Sequence, residues 1–154
     1  LILLNQALAR ELQVSIQYML QHAVGASHWP PVSGTPQFIK QSKFVASHAM
    51  VFLPGASLKK IAITEMRHAE AISERIVLLG GEPTTQPDAI TLDKTTQGML
   101  ENDREQERDA IELYRHIIEF AGKEHDDVTM HMFERILADE EKHHRMFSDL
   151  LGTG

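Results

Sequence analysis

Two stretches decide the fold: residues 61–76, Ile61-Ala62-Ile63-Thr64-Glu65-Met66-Arg67-His68-Ala69-Glu70-Ala71-Ile72-Ser73-Glu74-Arg75-Ile76, and residues 136–147, Ile136-Leu137-Ala138-Asp139-Glu140-Glu141-Lys142-His143-His144-Arg145-Met146-Phe147. Each carries a Glu and a His three residues apart, Glu65 with His68 and Glu140 with His143. That spacing puts both side chains of a pair on one helix face. The same face holds Leu58, Ile61, Ile72 and Ile76 in the first stretch, and Phe133, Ile136, Leu137 and Phe147 in the second. Both pairs therefore sit inside an apolar stripe, not opposite it. A carboxylate buried there without a partner is very costly. Internal salt bridges or hydrogen-bonded core polar groups are the plainer solution. No Lys or Arg occupies either stripe, so a shared metal is the stronger reading.

Working outward, helical periodicity marks four segments, at about residues 2–24, 58–79, 92–121 and 126–151. Gly25, Gly80-Gly81 and Gly122 are read as stops for the first three, and Asp126 and Asp127 suit the start of the fourth. Between the first two lies a stretch with Pro30, Pro31, Gly34, Pro36, Pro54 and Gly55, read as loop or broken helix, with residues 37–50 as an extra short helix. No alternating strand pattern occurs, and the fold class is all-α. The third and fourth helices are joined by a few residues and so must be antiparallel neighbours. The connector over residues 80–91 reaches roughly 40 Å, against about 33 Å for a helix of about 22 residues. It can cross the whole length of a bundle. The expected architecture is a four-helix bundle with one long crossover between helices two and three and an insertion between helices one and two.

Each remaining helix should supply one more acid. On the first, Glu11 is the only acid of the stripe Leu4, Leu8, Ser15 and Tyr18. On the third, the run 101–109 is almost wholly charged and reads by default as a solvated face. Glu107 stands out because Leu100, Tyr114 and Ala121 fall at seven-residue steps from it, whereas Glu101, Glu105 and Glu112 point elsewhere. Glu107 and Glu140 are also nearly equidistant from Glu124, the centre of the turn between their helices. Glu11 and Glu107 each have a Tyr seven residues on, Tyr18 and Tyr114, so the first helix pair looks like a copy of the second. The six expected metal ligands are Glu11, Glu65, His68, Glu107, Glu140 and His143. Four carboxylates and two imidazoles without sulfur favour iron or manganese over zinc or copper(I).

Composition sets the bounds. A chain of 154 residues is one domain's worth and buries a core without staples. It has no Cys, which excludes disulfides, thiolate zinc sites and Cys-held clusters. The net charge of −7 argues against nucleic-acid and anionic-membrane partners. No apolar run approaches the roughly 20 residues that span a bilayer, and no signal peptide is visible. The expected location is the cytoplasm.

Four stretches carry a family resemblance. Leu4-Asn5, Leu8, Glu11-Leu12 and Ile16-Gln17-Tyr18 resemble the first helix of bacterioferritins. Glu65-Met66-Arg67-His68-Ala69-Glu70 with Glu74-Arg75-Ile76 resembles their second, Met99-Leu100, Asp103 and Glu107 their third, and Ile136-Leu137, Asp139-Glu140-Glu141 and His143 their fourth. The resemblance implies a single ferritin-like di-iron domain over residues 1–154. It implies a ferroxidase that oxidises Fe(II) with dioxygen or hydrogen peroxide for iron storage or detoxification. Glu65 and Glu140 would bridge two iron ions, Glu11 with His68 and Glu107 with His143 would be terminal ligands, and Tyr18 a redox or hydrogen-bonding neighbour. Met66 matches the position that clasps haem b between two subunits.

The sequence departs from the family at Lys60, where an iron-relay histidine is usual, and at Ile72 and Met146, where aromatics are usual. The fifth helix that builds the 24-subunit cage is not seen after Leu151. At least a homodimer is expected, through the face of helices one and two, with an assembly up to a dodecamer favoured over the large cage. Two other functions compete: a di-iron or di-manganese peroxide-reducing enzyme without iron storage, and a bundle whose carboxylates hold a structural metal. The remaining histidines are read as surface, loop or packing residues, with His28, His48 and His125 in loops or turns. The apolar residues of the insertion, among them Phe38, Ile39, Phe44, Val45, Val51, Phe52 and Leu53, are expected to pack on the bundle or on a neighbouring subunit.

Overall fold

A computed structural model describes residues 1–27 and 43–153, with side chains at 1–23 and 57–153. Four helices account for nearly all of it: α1 (Ile2–Ser27), α2 (Lys43–Leu78), α3 (Thr96–Lys123) and α4 (Asp127–Leu151). No strand occurs among the described residues. The periodic stretches became helices because each has an apolar stripe to bury. On α3 the buried stripe runs Leu100, Asp103, Glu107, Ala110, Tyr114, Ile117 and Ala121, apolar but for its two acids.

Three boundaries differ from expectation. α1 continues past Gly25 to Ser27; a lone glycine costs a helix only about 1 kcal/mol. α2 begins at Lys43, so residues 43–57, read as broken chain, belong to it, and His48 lies in a helix rather than a loop. Helix runs through Pro54, so breaker density misled the reading there. α3 begins at Thr96 rather than near Leu92: Thr95 is its N-cap, its hydroxyl accepting from the Gly98 amide at 3.0 Å. The suggested short helix at 37–50 is replaced by α2 from Lys43 onward; its first residues, His28 and the side chains of the insertion lie outside what is described. His125 is in a turn as expected, at φ 56° between α3 and α4.

α1 packs on α2 and α3 on α4, and the two hairpins face each other. The crossover climbs α1. Asn5 Nδ2 donates to the Glu82 carbonyl at 3.1 Å, the Thr84 amide to Asn5 Oδ1 at 2.7 Å, the Asp88 amide to the Ala9 carbonyl at 3.0 Å, and the Thr91 amide to Gln17 Oε1 at 2.9 Å. α3 thus starts beside the far end of α1 and runs back along it, as the reach of the connector required.

Two apolar clusters fill the bundle. One gathers Leu4, Leu8, Ile72, Ile76, Tyr114, Ile117, Phe133 and Ile136, the other Val14, Tyr18, Leu58, Ile61, Leu100 and Phe147. On all four helices the positions between the clusters are polar: Glu11, Glu65 and His68, Glu107, Glu140 and His143. A polar layer therefore lies between two apolar clusters.

Away from that layer, Asp126 ties α4 to α2. It is the N-cap of α4, accepting from the Thr129 amide at 3.0 Å, and it receives Arg75 Nη2 at 2.6 Å. Burial alone would raise its carboxyl, but Arg75 and Thr129 outweigh that and bring it down to about 2. A carboxyl depressed on folding contributes stability that is present above its unfolded value of 3.8 and is lost as pH falls towards 2. Asp126→Ala is expected to cost about 1–2 kcal/mol near neutral pH through the lost cap and to cost less near pH 2. Thermal unfolding at both pH values checks this; an equal loss at both would contradict it.

Candidate metal centre

The four helices bring all six expected ligands together. Glu11, Glu65, Glu107 and Glu140 are fully buried, His68 is buried and His143 nearly so. Their ligand atoms form two groups, Glu11, Glu65, His68 and Glu140, and Glu65, Glu107, Glu140 and His143, the atoms of each lying within 4.8 Å of one another. Glu65 and Glu140 belong to both. The spacing of three residues on α2 and α4 makes this possible, since Glu and His then leave the helix from one face.

His68 Nδ1 is 2.9 Å from Glu65 Oε2, 3.1 Å from Glu140 Oε1 and 3.7 Å from Glu11 Oε2. His143 Nδ1 is 2.8 Å from Glu65 Oε1 and 3.7 Å from Glu140 Oε2. Much of this convergence is not hydrogen bonding. Of nine buried side-chain atoms without a hydrogen-bond partner among the described residues, six are here: Glu11 Oε2, Glu65 Oε1, Glu107 Oε2, both oxygens of Glu140, and His143 Nδ1. Acceptors orphaned in a dry interior are rare and need an explanation. Cations held by these atoms would supply it, and a donor set of carboxylates and imidazoles suits iron or manganese.

The orienting shell is partly new. Tyr18 on α1 donates its hydroxyl to Glu107 on α3, and Tyr114 on α3 donates to Glu11 on α1, so each tyrosine serves the acid of the other helix. Each packs on a phenylalanine of α4, Tyr114 edge-on to Phe133 with centroids 5.2 Å apart, and Tyr18 tilted on Phe147 at 5.7 Å. His68 Nε2 lies 3.5 Å from Asp139 Oδ2, the kind of outer carboxylate that leaves Nδ1 free to face a metal.

Electrostatics follow from burial. Burial, and then the charge of Glu140, push Glu107 well above the usual carboxylate range. Burial and Glu65 raise Glu11. Burial would raise Glu65 too, but the imidazoles of His143 and His68 outweigh it and hold it low. Burial would lower both histidines, yet the surrounding carboxylates raise His68 strongly and His143 to about 10. Burial, then Glu107 and Glu11 respectively, keep Tyr18 and Tyr114 protonated as donors.

Sequence reasoning missed three features. Tyr114 stood out as a mark of the repeat and of the buried face of α3, not as a hydrogen-bond donor to a ligand. Asp103, inside the charged run, is fully buried and accepts from Gln17 Nε2 at 3.0 Å and Gln21 Nε2 at 2.8 Å; burial pushes its carboxyl up to about 7. Its place one turn before Glu107 was the available signal. Arg10 is buried against Glu11 and Glu107, with no signal beyond adjacency to Glu11.

Met66 is exposed, with Ile63, Ile16 and Leu20 also exposed on α2 and α1. No helix among the described residues is long and apolar enough to cross a membrane.

Comparison with known proteins shows the family. Residues 55–154 match the ferritin-like domain family. The bacterioferritin of Desulfovibrio desulfuricans is 43% identical over 89 residues, 57% of this chain and 50% of that protein. The bacterioferritin of Mycobacterium bovis is 30% identical over 142 residues, 92% of this chain and 76% of that protein. The chain thus spans half the length of the first relative and three quarters of the second. The Desulfovibrio desulfuricans bacterioferritin structure, solved with its di-iron site in different catalytic states, superposes with a TM-score of 0.77 at 32% identity, over 97% of this chain and 76% of that one. The Rhodobacter capsulatus bacterioferritin superposes with a TM-score of 0.78 over 97% of this chain and 81% of that one, at 24% identity, a likeness of fold. With its four helices, its crossover and its paired Glu-x-x-His layer, the chain belongs to the bacterioferritins of the ferritin-like family.

Proposed function

We propose that this chain is a ferroxidase that takes Fe(II) into the polar layer and oxidises it for iron storage or detoxification. The observation that carries this is the pair of four-residue ligand groups sharing Glu65 and Glu140. In this reading Glu65 and Glu140 would serve both ions, with Glu11 and His68 holding one and Glu107 and His143 the other. Iron held there would supply the electrons, one per Fe(II), that reduce dioxygen or hydrogen peroxide.

The protein's own groups do the rest. The carboxylates draw the cations into a layer shielded by two apolar clusters, where their charge is little screened. Tyr18 and Tyr114 fix the orientation of Glu107 and Glu11 by donating to them. His68 and His143 carry protons at neutral pH when no ion is bound, because their neighbours raise them. They must give those protons up to become ligands. The site therefore moves protons as it fills.

That yields a measurable sign. A proton held in the empty site competes with the ion, so apparent affinity is expected to rise with pH across the neutral range, up to the His143 value of about 10. Filling should release one proton from each imidazole. A titration with a divalent ion in weak buffer, followed with a pH indicator, checks this; binding without proton release would contradict the assignment of the histidines.

The exposed apolar face of α1 and α2 around Met66 supports a homodimer through these helices. Met66 is also the residue through which a haem b would be held between two copies. The Rhodobacter capsulatus relative contains a haem iron.

The function is tested by anaerobic loading with Fe(II), followed by oxygen. A ferroxidase that stores iron oxidises successive additions and retains many irons per chain. Retention of only two per chain with peroxide turnover would favour the peroxide-reducing alternative. An absence of turnover would leave only a structural metal.

A further inference from the structure

Arg10 is a cation where the ligand set leaves no need for one. It is 5% exposed, in the interior of α1 next to Glu11. Its Nη1 lies 3.5 Å from Glu11 Oε1 and its Nη2 3.5 Å from Glu107 Oε2. Nη2 also donates to the Gln106 carbonyl at 2.5 Å, and the guanidinium carbon stands 5.8 Å from the centroid of the Tyr114 ring. Its Nε has no hydrogen-bond partner among the described residues. The guanidinium thus bridges the acids that serve one ligand group each, one from α1 and one from α3.

The charge count makes this consequential. Four carboxylates alone neutralise two divalent ions. With Arg10 beside them and both imidazoles neutral, the doubly filled layer carries one surplus positive charge and the singly filled layer one surplus negative charge, which a proton on the unused imidazole can cancel. The imidazoles can adjust by losing protons, but a guanidinium does not deprotonate in proteins. Its repulsion of incoming ions is therefore permanent. In the empty layer the same charge is favourable, because it offsets the repulsion between buried carboxylates.

We propose that Arg10 is a built-in cation of this centre, holding Glu11 and Glu107 in place when the layer is empty and weakening retention of each ion that enters, so that bound ions stay exchangeable. This rests on the metal-binding reading above. Arg10 is a positioning residue, acting through the two carboxylates it touches. Repulsion between the guanidinium and a bound cation several ångströms away, at the effective dielectric of protein sites and offset in part by adjustment of the two carboxylates, is worth on the order of tenfold to a hundredfold in affinity.

The test compares wild type, Arg10→Gln and Arg10→Lys, each freed of metal and titrated with Zn(II), a redox-inert divalent probe, alongside thermal unfolding of the metal-free forms. Arg10→Gln is expected to melt lower when metal-free and yet to bind each Zn(II) about tenfold to a hundredfold more tightly. Arg10→Lys keeps the charge and is expected to stay within about threefold of wild type. A merely structural role would lower stability and affinity together, so the opposite signs are the distinguishing result. Arg10→Gln binding no tighter than wild type overturns the proposal while leaving the metal centre intact. Should Arg10→Gln be unfolded without metal, refolding on addition of Zn(II) is expected, and failure to refold overturns the proposal. Wild type that binds no Zn(II) at all overturns the metal-binding reading and this inference with it.

Discussion

Replacing Glu65 or Glu140 by alanine is expected to abolish binding of the ion pair. Each residue contributes to both ligand groups, so one substitution strips both positions at once and leaves two cations facing too little negative charge. The loss should exceed the ~10–100-fold that follows from removing a mere outer-shell partner. Folding should survive, because the change takes away one of four mutually repelling buried carboxylates, and burying charge is itself costly. Glu105→Ala is the control: Glu105 lies on the wetter side of α3, paired with Arg108 at 2.5 Å. Metal analysis after loading and desalting checks the prediction. Equal stoichiometry in the Glu65 and Glu105 variants would remove the basis of the site assignment.

The second large effect is on stability. Phe133 is fully buried on α4 and meets the Tyr114 ring edge-on at 5.2 Å. Phe133→Ala is expected to cost about 3–5 kcal/mol, from lost transfer energy and the cavity left behind. At roughly 2–4 °C per kcal/mol for a chain of this size, the melting temperature should fall by about 10 °C. The consequence extends to the metal layer, since Tyr114 orients Glu11 through its hydroxyl. Affinity for the ion pair should drop as well. A stability loss below about 1 kcal/mol would show that this ring does not brace the tyrosine.

These two predictions draw on different parts of the sequence, and the parts were not equally legible. The Glu-x-x-His repeats were readable because period and chemistry conflict there: an ionisable pair inside an apolar stripe demands a partner. Glu107 was separable from its charged neighbours because seven-residue steps to Leu100, Tyr114 and Ala121 fix the buried face of α3, and the structure buries all four. Asp103 obeys the same rule, one turn earlier, but its partners Gln17 and Gln21 come from α1. Pairing between helices distant in sequence leaves no local trace. Arg10 escaped for a similar reason: its contacts with Glu107 and Gln106 exist only once α3 has been laid back along α1. The start of α2 failed on different grounds. Proline and glycine lower helix propensity, yet propensity is a weak prior that context overrides, and α2 runs through Pro54 and Gly55.

The cap at Thr95 shows the intermediate case. Residues 92–95 look compatible with helix by composition, but Asp93 Oδ1 accepts from the Thr95 amide at 2.8 Å, and the Thr95 hydroxyl takes the Gly98 amide. Short polar side chains that bind the nearby backbone favour caps over helix interiors. The crossover, by contrast, was fixed by reach alone, and the structure adds only how it is pinned: Asn5 and Gln17, both on α1, hold Glu82, Thr84 and Thr91.

The central claim is that two metal ions lie in the polar layer, bridged by Glu65 and Glu140. Diffraction from crystals loaded anaerobically with Fe(II), measured at the iron absorption edge, tests it most directly. The expected result is two anomalous peaks per chain, one among Glu11, Glu65, His68 and Glu140, the other among Glu65, Glu107, Glu140 and His143. Peaks elsewhere on the chain, with none between Glu65 and Glu140, would contradict it.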